Sequence, residues 1–135
     1  MNGYLQPLAR LLMALIFLGS GFNKIIGFGG TVGFLEHLGW PAPALFVTLA
    51  ILLELVGGLC LLIGFRTRWA SLALIVFLIA ATIGVHGKMM SSATDQQEKQ
   101  GQMVHILKNI AILGGLLKFY TDGAGRYALD RERAA

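Results

Sequence analysis

Glu54 lies within ILLELVGGLCLLIGFRTR, residues 51–68, in a stretch that carries no other charge from Ala44 to Phe65. A carboxylate in such a run needs a partner or a proton, and it is a candidate proton relay. The best-placed partner by sequence is Lys108. It belongs to a stripe of His105, Lys108, Asn109 and Ile112 at i, i+3, i+4 and i+7, one face of a helix. Asn23 and Lys24 form a third polar group, with Phe17 and Gly21 on the face of Lys24. Thr82 and His86 form a fourth. Together Glu54, Lys108, Asn109, His105, His86, Lys24 and Asn23 are the candidate ligand-binding residues. They suit hydrogen bonding and proton transfer. Two histidines without a close spacing motif do not specify a metal site, and none is expected. Cys60 is the only cysteine, which excludes dithiol exchange within the chain.

The elements that must position these groups follow from composition. The chain has 135 residues, 56% hydrophobic and 13% charged, with eighteen glycines. Its mean hydropathy is +0.69. Soluble domains are about 25% charged, so the balance is that of a membrane protein. A bilayer core about 30 Å thick takes about 20 apolar residues in a helix. Four segments qualify, at about 5–26, 43–65, 69–87 and 103–120, followed by a polar tail over 121–135. The expected fold is all-α, an integral membrane four-helix bundle with up-down-up-down topology, one domain over 1–135. Removing the first span as a signal peptide would leave an odd number of spans, so it is read as a helix of the bundle.

The net charge of +4 is explained by topology rather than by nucleic acid, since the basic residues sit at the ends of apolar runs and no nucleic-acid motif is present. Arg10, Arg66, Arg68, Lys118, Arg126, Arg131 and Arg133 fall on the side of the termini. Lys24, Lys88, Lys99 and Lys108 fall on the other. The positive-inside rule then places both termini in the cytoplasm, with Arg10, Arg66 and Arg68 as headgroup anchors. The link between helices two and three is only RTR. The other two links, GFGGTVGFLEHLGWPA and KMMSSATDQQEKQGQ, are longer. The first, including GFGG, reads as a glycine-rich loop lying at the interface or folded over the bundle. The second reads as solvated.

Because helix direction alternates, Asn23, Lys24, His86, His105, Lys108 and Asn109 all fall in the outer half of the bundle, with Glu54 beneath them. Lys108 is offset from Glu54 by about 9 Å counted from helix ends, or by about 4.5 Å if the pairs Gly57-Gly58 and Gly114-Gly115 are aligned. Gly57 and Gly58 would let a second helix come close to Glu54. Ala80 with Gly84, and Ala111 with Gly115, are small-residue faces for packing within the bundle or between protomers of a homo-oligomer.

Four stretches, RLLMALIFLGSGFNKI, ELVGGLCLLIGFRTRWASLAL, VHGK and LKNIAILGGLLKFYTDGAGRYALD, resemble in order the DoxX family of small four-helix membrane proteins. The resemblance implies an oxidoreductase or quinone-linked subunit of the bacterial cytoplasmic (inner) membrane. It also implies that Lys24, Glu54, Arg66, His86, Lys108 and Asn109 occupy the family's recurrent polar positions. The family is named for its resemblance to the membrane subunit of thiosulfate:quinone oxidoreductase, but thiosulfate specificity does not carry over, because this chain has no cofactor motif and no cysteine pair. No self-contained catalytic motif is present. Two further readings remain beside a quinone-binding subunit served by a soluble redox partner. One is a non-catalytic binder or transporter of a small amphiphile in the same pocket. The other is a structural membrane subunit.

Overall fold

The computed structural model describes residues 3–130; Arg131 and Arg133, counted above for orientation, lie outside them. Among the described residues four helices are long and apolar enough to cross a membrane. The first is α1, Leu5–Ile26; after it α2, Phe28–His37, lies in the first long link. The second span is α3, Pro43–Ile63. The third is continuous from Thr67 to Ser92: α4 (Thr67–Ala81), a π-helical stretch (Thr82–Gly87) and α5 (Lys88–Ser92). The fourth is α6, Gln96–Asp122. Each span buries only 11–28% of its apolar stretch. Leu12, Leu52, Val56, Val76, Val104 and Leu107 are among the many apolar side chains facing outward. That inversion of the soluble pattern fits a solvent of lipid tails, and the molecule is an all-α integral membrane bundle.

The helices pack in the order α1, α3, α4, α6, and α1 touches α6 only locally. Glycines set the close approaches. A Cβ on Gly58 would meet Leu18 and Phe17 of α1 at 3.0–3.3 Å, and one on Gly57 would meet Leu74 of α4 at 2.9 Å. A Cβ on Gly115 would run into Met13, which marks where α6 reaches α1. Ala14, Phe17, Leu61, Leu74, Leu78 and Leu116 form the core between these contacts.

One loop expectation is corrected. GFGG is not a loop: Phe28, Gly29 and Gly30 open α2, whose one buried side chain is Leu35. Glycine disfavours helix by about 1 kcal/mol, but backbone groups near lipid must bond internally, and a helix does this within the segment. The second long link is also mostly helical. The third span runs on to Ser92, and Asp95 starts α6 by accepting a bond from the Glu98 amide at 2.7 Å. The π stretch is braced by Trp40. Trp40 Nε1 donates to Gly84 O at 3.2 Å, and a Cβ on Gly84 would overlap the Trp40 ring.

The tail is not a free extension. Arg10 is not a headgroup anchor either: it is 1% exposed and donates to Leu62 O, Arg126 O and Tyr127 O at 2.7–3.1 Å. The Leu129 and Asp130 amides bond back to Ile63 O and Gly64 O. Asp130 Oδ1 and Oδ2 accept from the Arg66 and Thr67 amides at 2.7 and 2.8 Å, capping α4 from 63 residues away in sequence. Gly64 (φ +71) and Arg66 (φ +48) make the tight left-handed turn that brings these amides together.

Burial raises the Asp130 carboxyl, but the amide bonds from Thr67 and Arg66 and the Arg66 charge outweigh it and hold the group below the ordinary carboxylate range. A carboxyl depressed on folding contributes stability above its unfolded pKa of about 3.9 and loses it as pH falls through the folded value. Thermal unfolding in detergent should therefore show the wild type ahead of Asp130→Asn by a constant margin above about pH 5, with the margin shrinking below about pH 4. A margin that does not change with acid would show that the cap is not titrating.

Candidate functional site

α1 and α3 bring two charges together. Gly21 is the residue that allows it: a Cβ there would meet Leu55 at 2.9 Å and the Glu54 Cβ at 3.3 Å. With α1 this close, Lys24 Nζ lies 2.7 Å from Glu54 Oε1. Lys24 also donates to Ser20 Oγ, one turn earlier, at 2.7 Å. The Glu54 side chain is 2% exposed and that of Lys24 is 25% exposed. Glu54 accepts no directed hydrogen bond, so its contact with Lys24 is a close ion contact rather than an aligned N–H···O bond. A buried carboxylate with one partner is weakly compensated, because the desolvation cost offsets much of the ion-pair attraction. The expectation that Lys108 partners Glu54 is thus corrected. Depth along the helix admits either lysine, but the packing of α1 against α3 gives the position to Lys24.

Lys24 forms part of the wall of a cavity of about 550 Å³, lined by Leu15, Ile16, Gly19, Ser20, Asn23, Lys24, Thr31 and Lys108. These residues come from α1, α2 and α6. The cavity occupies the gap left because α1 and α6 meet only locally, and it is open rather than enclosed. Glu54 does not line it; the carboxylate stands behind Lys24. Its donors are two ammonium groups, an amide and two hydroxyls, while Leu15 and Ile16 supply apolar wall. Ligand sites commonly combine a mostly apolar surface with a few convergent polar groups in about 300–1,000 Å³.

The other candidate residues form a second group, between the π stretch and α6. The Asn109 amide donates to Thr82 Oγ1 at 3.0 Å, and Thr82 in turn donates to Leu78 O at 2.7 Å. The rings of His86 and His105 stack with centroids 5.0 Å apart and planes 14° from parallel. His86 Nδ1 is 2.9 Å from Gln102 Oε1. Parallel rings hold their nitrogen lone pairs in separate planes, which do not converge on a single ion as metal ligation requires. Among the described residues no three histidine, cysteine, aspartate or glutamate side chains gather as a metal site would need. Asn23, Lys24 and Lys108 thus share one cavity, backed by Glu54, while His86, His105 and Asn109 pin α6 to the third span.

Ser20 and Thr31 were not anticipated. Ser20 precedes Lys24 by four residues, so its place on the lysine face was available from helical periodicity. Thr31 was hidden in what reads as a loop. Arg66 sits in the turn before α4, away from the cavity, where its amide meets Asp130.

Comparisons with known proteins agree with this architecture. The chain is 33% identical over 123 residues to the inner membrane protein YqjF of Escherichia coli, covering 91% of this chain and 87% of that protein. It is 33% identical over 126 residues to the inner membrane protein YphA of the same organism, covering 92% and 86%. A protein of Bacillus subtilis named "Putative oxidoreductase CatD" is 35% identical over 78 residues, covering 58% of this chain and 57% of that one. No solved structure matches. The DoxX family profile matches residues 5–87, from the start of α1 through the π stretch, and with these relatives it establishes that this chain belongs to the DoxX family.

Proposed function

We propose that this protein is a quinone-binding subunit of a redox system in a bacterial inner membrane, holding the quinone head in the cavity between α1 and α6. The carrying observation is the cavity itself: about 550 Å³, open at the side of the bundle, with Lys24 on its wall and a buried carboxylate directly behind. A flat head with oxygens on opposite edges fits donors on facing walls, Lys24 and Asn23 on α1 and Lys108 on α6. The hydrocarbon tail stays in lipid through the open side. The quinone supplies the electron chemistry; the chain holds it and moves protons. Lys24 gives an oxygen a hydrogen bond, and a proton when that oxygen becomes basic, with Glu54 behind it as its counter-charge. A soluble partner supplies the electrons, and both termini face the cytoplasm. The names of the two Escherichia coli relatives support the membrane, and that of the Bacillus subtilis relative supports redox chemistry.

Quinone content tests the reading. Protein purified in mild detergent and extracted with organic solvent is expected to yield close to one quinone per chain. The Lys24→Met/Glu54→Leu double variant, which removes both charges together, is expected to lose most of it. Equal traces in both would overturn the proposal and leave a binder of another amphiphile or a structural subunit.

A further inference from the structure

Lys108 lines the same cavity but, among the described residues, has no counter-charge. The ion pairs among the described residues are Lys24 with Glu54 and Lys118 with Asp122. The groups that share the cavity with Lys108 are Lys24, already matched by Glu54, and the neutral Asn23, Ser20 and Thr31. Counting Lys24 and Lys108 against Glu54 leaves one positive charge. Lys108 lies within the apolar part of the fourth span, five residues or about 7.5 Å past its start near Met103, with its side chain exposed on the open cavity. A cation within a span that faces a cleft rather than a partner marks a substrate or ion site.

We infer that the natural occupant of the cavity carries one negative charge on oxygen, which Lys108 receives, and a hydrocarbon chain that leaves between α1 and α6. This rests on the reading that the cavity holds a membrane-borne amphiphile, and it adds the ligand's charge. Two sources supply the same chemistry: the singly deprotonated form of a reduced or hydroxylated quinone, and a fatty-acid carboxylate. In either case the monoanion closes the charge balance, with Asn23, Ser20 and Thr31 serving the remaining oxygen lone pairs. A neutral head would leave the Lys108 ammonium unmatched. A dianionic head would exceed the available positive charge, because Lys24 is already committed to Glu54.

Matched probes differing only in charge test this on the full chain in detergent micelles. One pair is palmitate against palmitamide. The other is an ionised alkyl hydroxynaphthoquinone against its methyl ether. The acidic member of at least one pair is expected to bind about tenfold or more tightly than its neutral partner, a difference of about 1.4 kcal/mol. Lys108→Met should abolish the preference and Lys108→Arg should retain it. Lys108 makes no ion pair, so the Met variant should unfold at the wild-type temperature, which separates lost binding from lost fold. A preference confined to palmitate supports the inference and counts against the quinone reading. Naphthoquinones binding equally in both charge states, with palmitate binding no better than palmitamide, overturn the inference and leave the quinone reading standing. No binding by any probe overturns both.

Discussion

Lys24→Met is expected to destabilise the protein by about 3–5 kcal/mol, the range for leaving one member of a buried ion pair without its partner. The effect comes through Glu54, which is 2% exposed and has no hydroxyl or amide donor to replace the ammonium. Glu54→Gln should cost less, about 1–3 kcal/mol. The lysine it strands is one-quarter exposed, still bonded to Ser20, and faces the cavity. The Lys24→Met/Glu54→Leu double variant should return to within about 1–2 kcal/mol of wild type, since an apolar replacement of a whole buried pair is often neutral or better. Equilibrium unfolding in mixed micelles measures all three, and the coupling between the single changes isolates the pair. Lys108→Met serves as the control and should be silent. A silent Lys24→Met with a destabilised Lys108→Met would reverse the pairing described here.

That control bears on what the sequence can reveal. The spans were legible because an apolar run of bilayer length has few alternative folds. The depth of each polar group was legible from its distance to a helix end. Its direction around the bundle was not. Lys24 and Lys108 stand at similar depth, so depth alone cannot choose between them. The signal that separates them was present, in Phe17, Gly21 and Lys24 on one face of α1 opposite Gly58, one turn from Glu54. Small residues on facing helices say which pair comes closest, and the closest pair decides which side chains meet. For the histidines the same limit applied in reverse. His86 and His105 converge, as shared depth suggests, but on α6 and the third span rather than on the cavity. The π stretch that sets the direction of His86 has no mark in TIGVHG itself. It is held by Trp40, 44 residues away.

Arg10→Met is expected to release the tail and to cost about 3–5 kcal/mol, the penalty for breaking a buried charged network. Three carbonyls depend on one guanidinium: Leu62 at the end of α3, and Arg126 and Tyr127 in the tail. The Leu62 carbonyl is among those a helix leaves unsatisfied at its C-terminus, where a cation is also favoured by the helix dipole. Arg10 therefore caps α3 while clamping the tail against it. Other contacts assist: Gln6 accepts from the Arg126 amide at 2.7 Å, and Tyr4 stacks on Tyr127. Both lie nearer the surface, so Gln6→Ala should cost only about 1 kcal/mol. Arg10→Lys should fall between wild type and Met, because an ammonium keeps the charge but not the planar fork that reaches three oxygens. Limited trypsin digestion supplies the readout. Arg126 is already exposed in side chain but fixed in backbone, so cleavage after it should be slow in wild type and fast in Arg10→Met. The rate is governed by how often the segment opens. Equal cleavage in the two proteins would mean that the Asp130 cap and the Ile63 and Gly64 backbone bonds hold the tail without Arg10. The polar tail thus owes its place to an arginine 116 residues earlier in the chain.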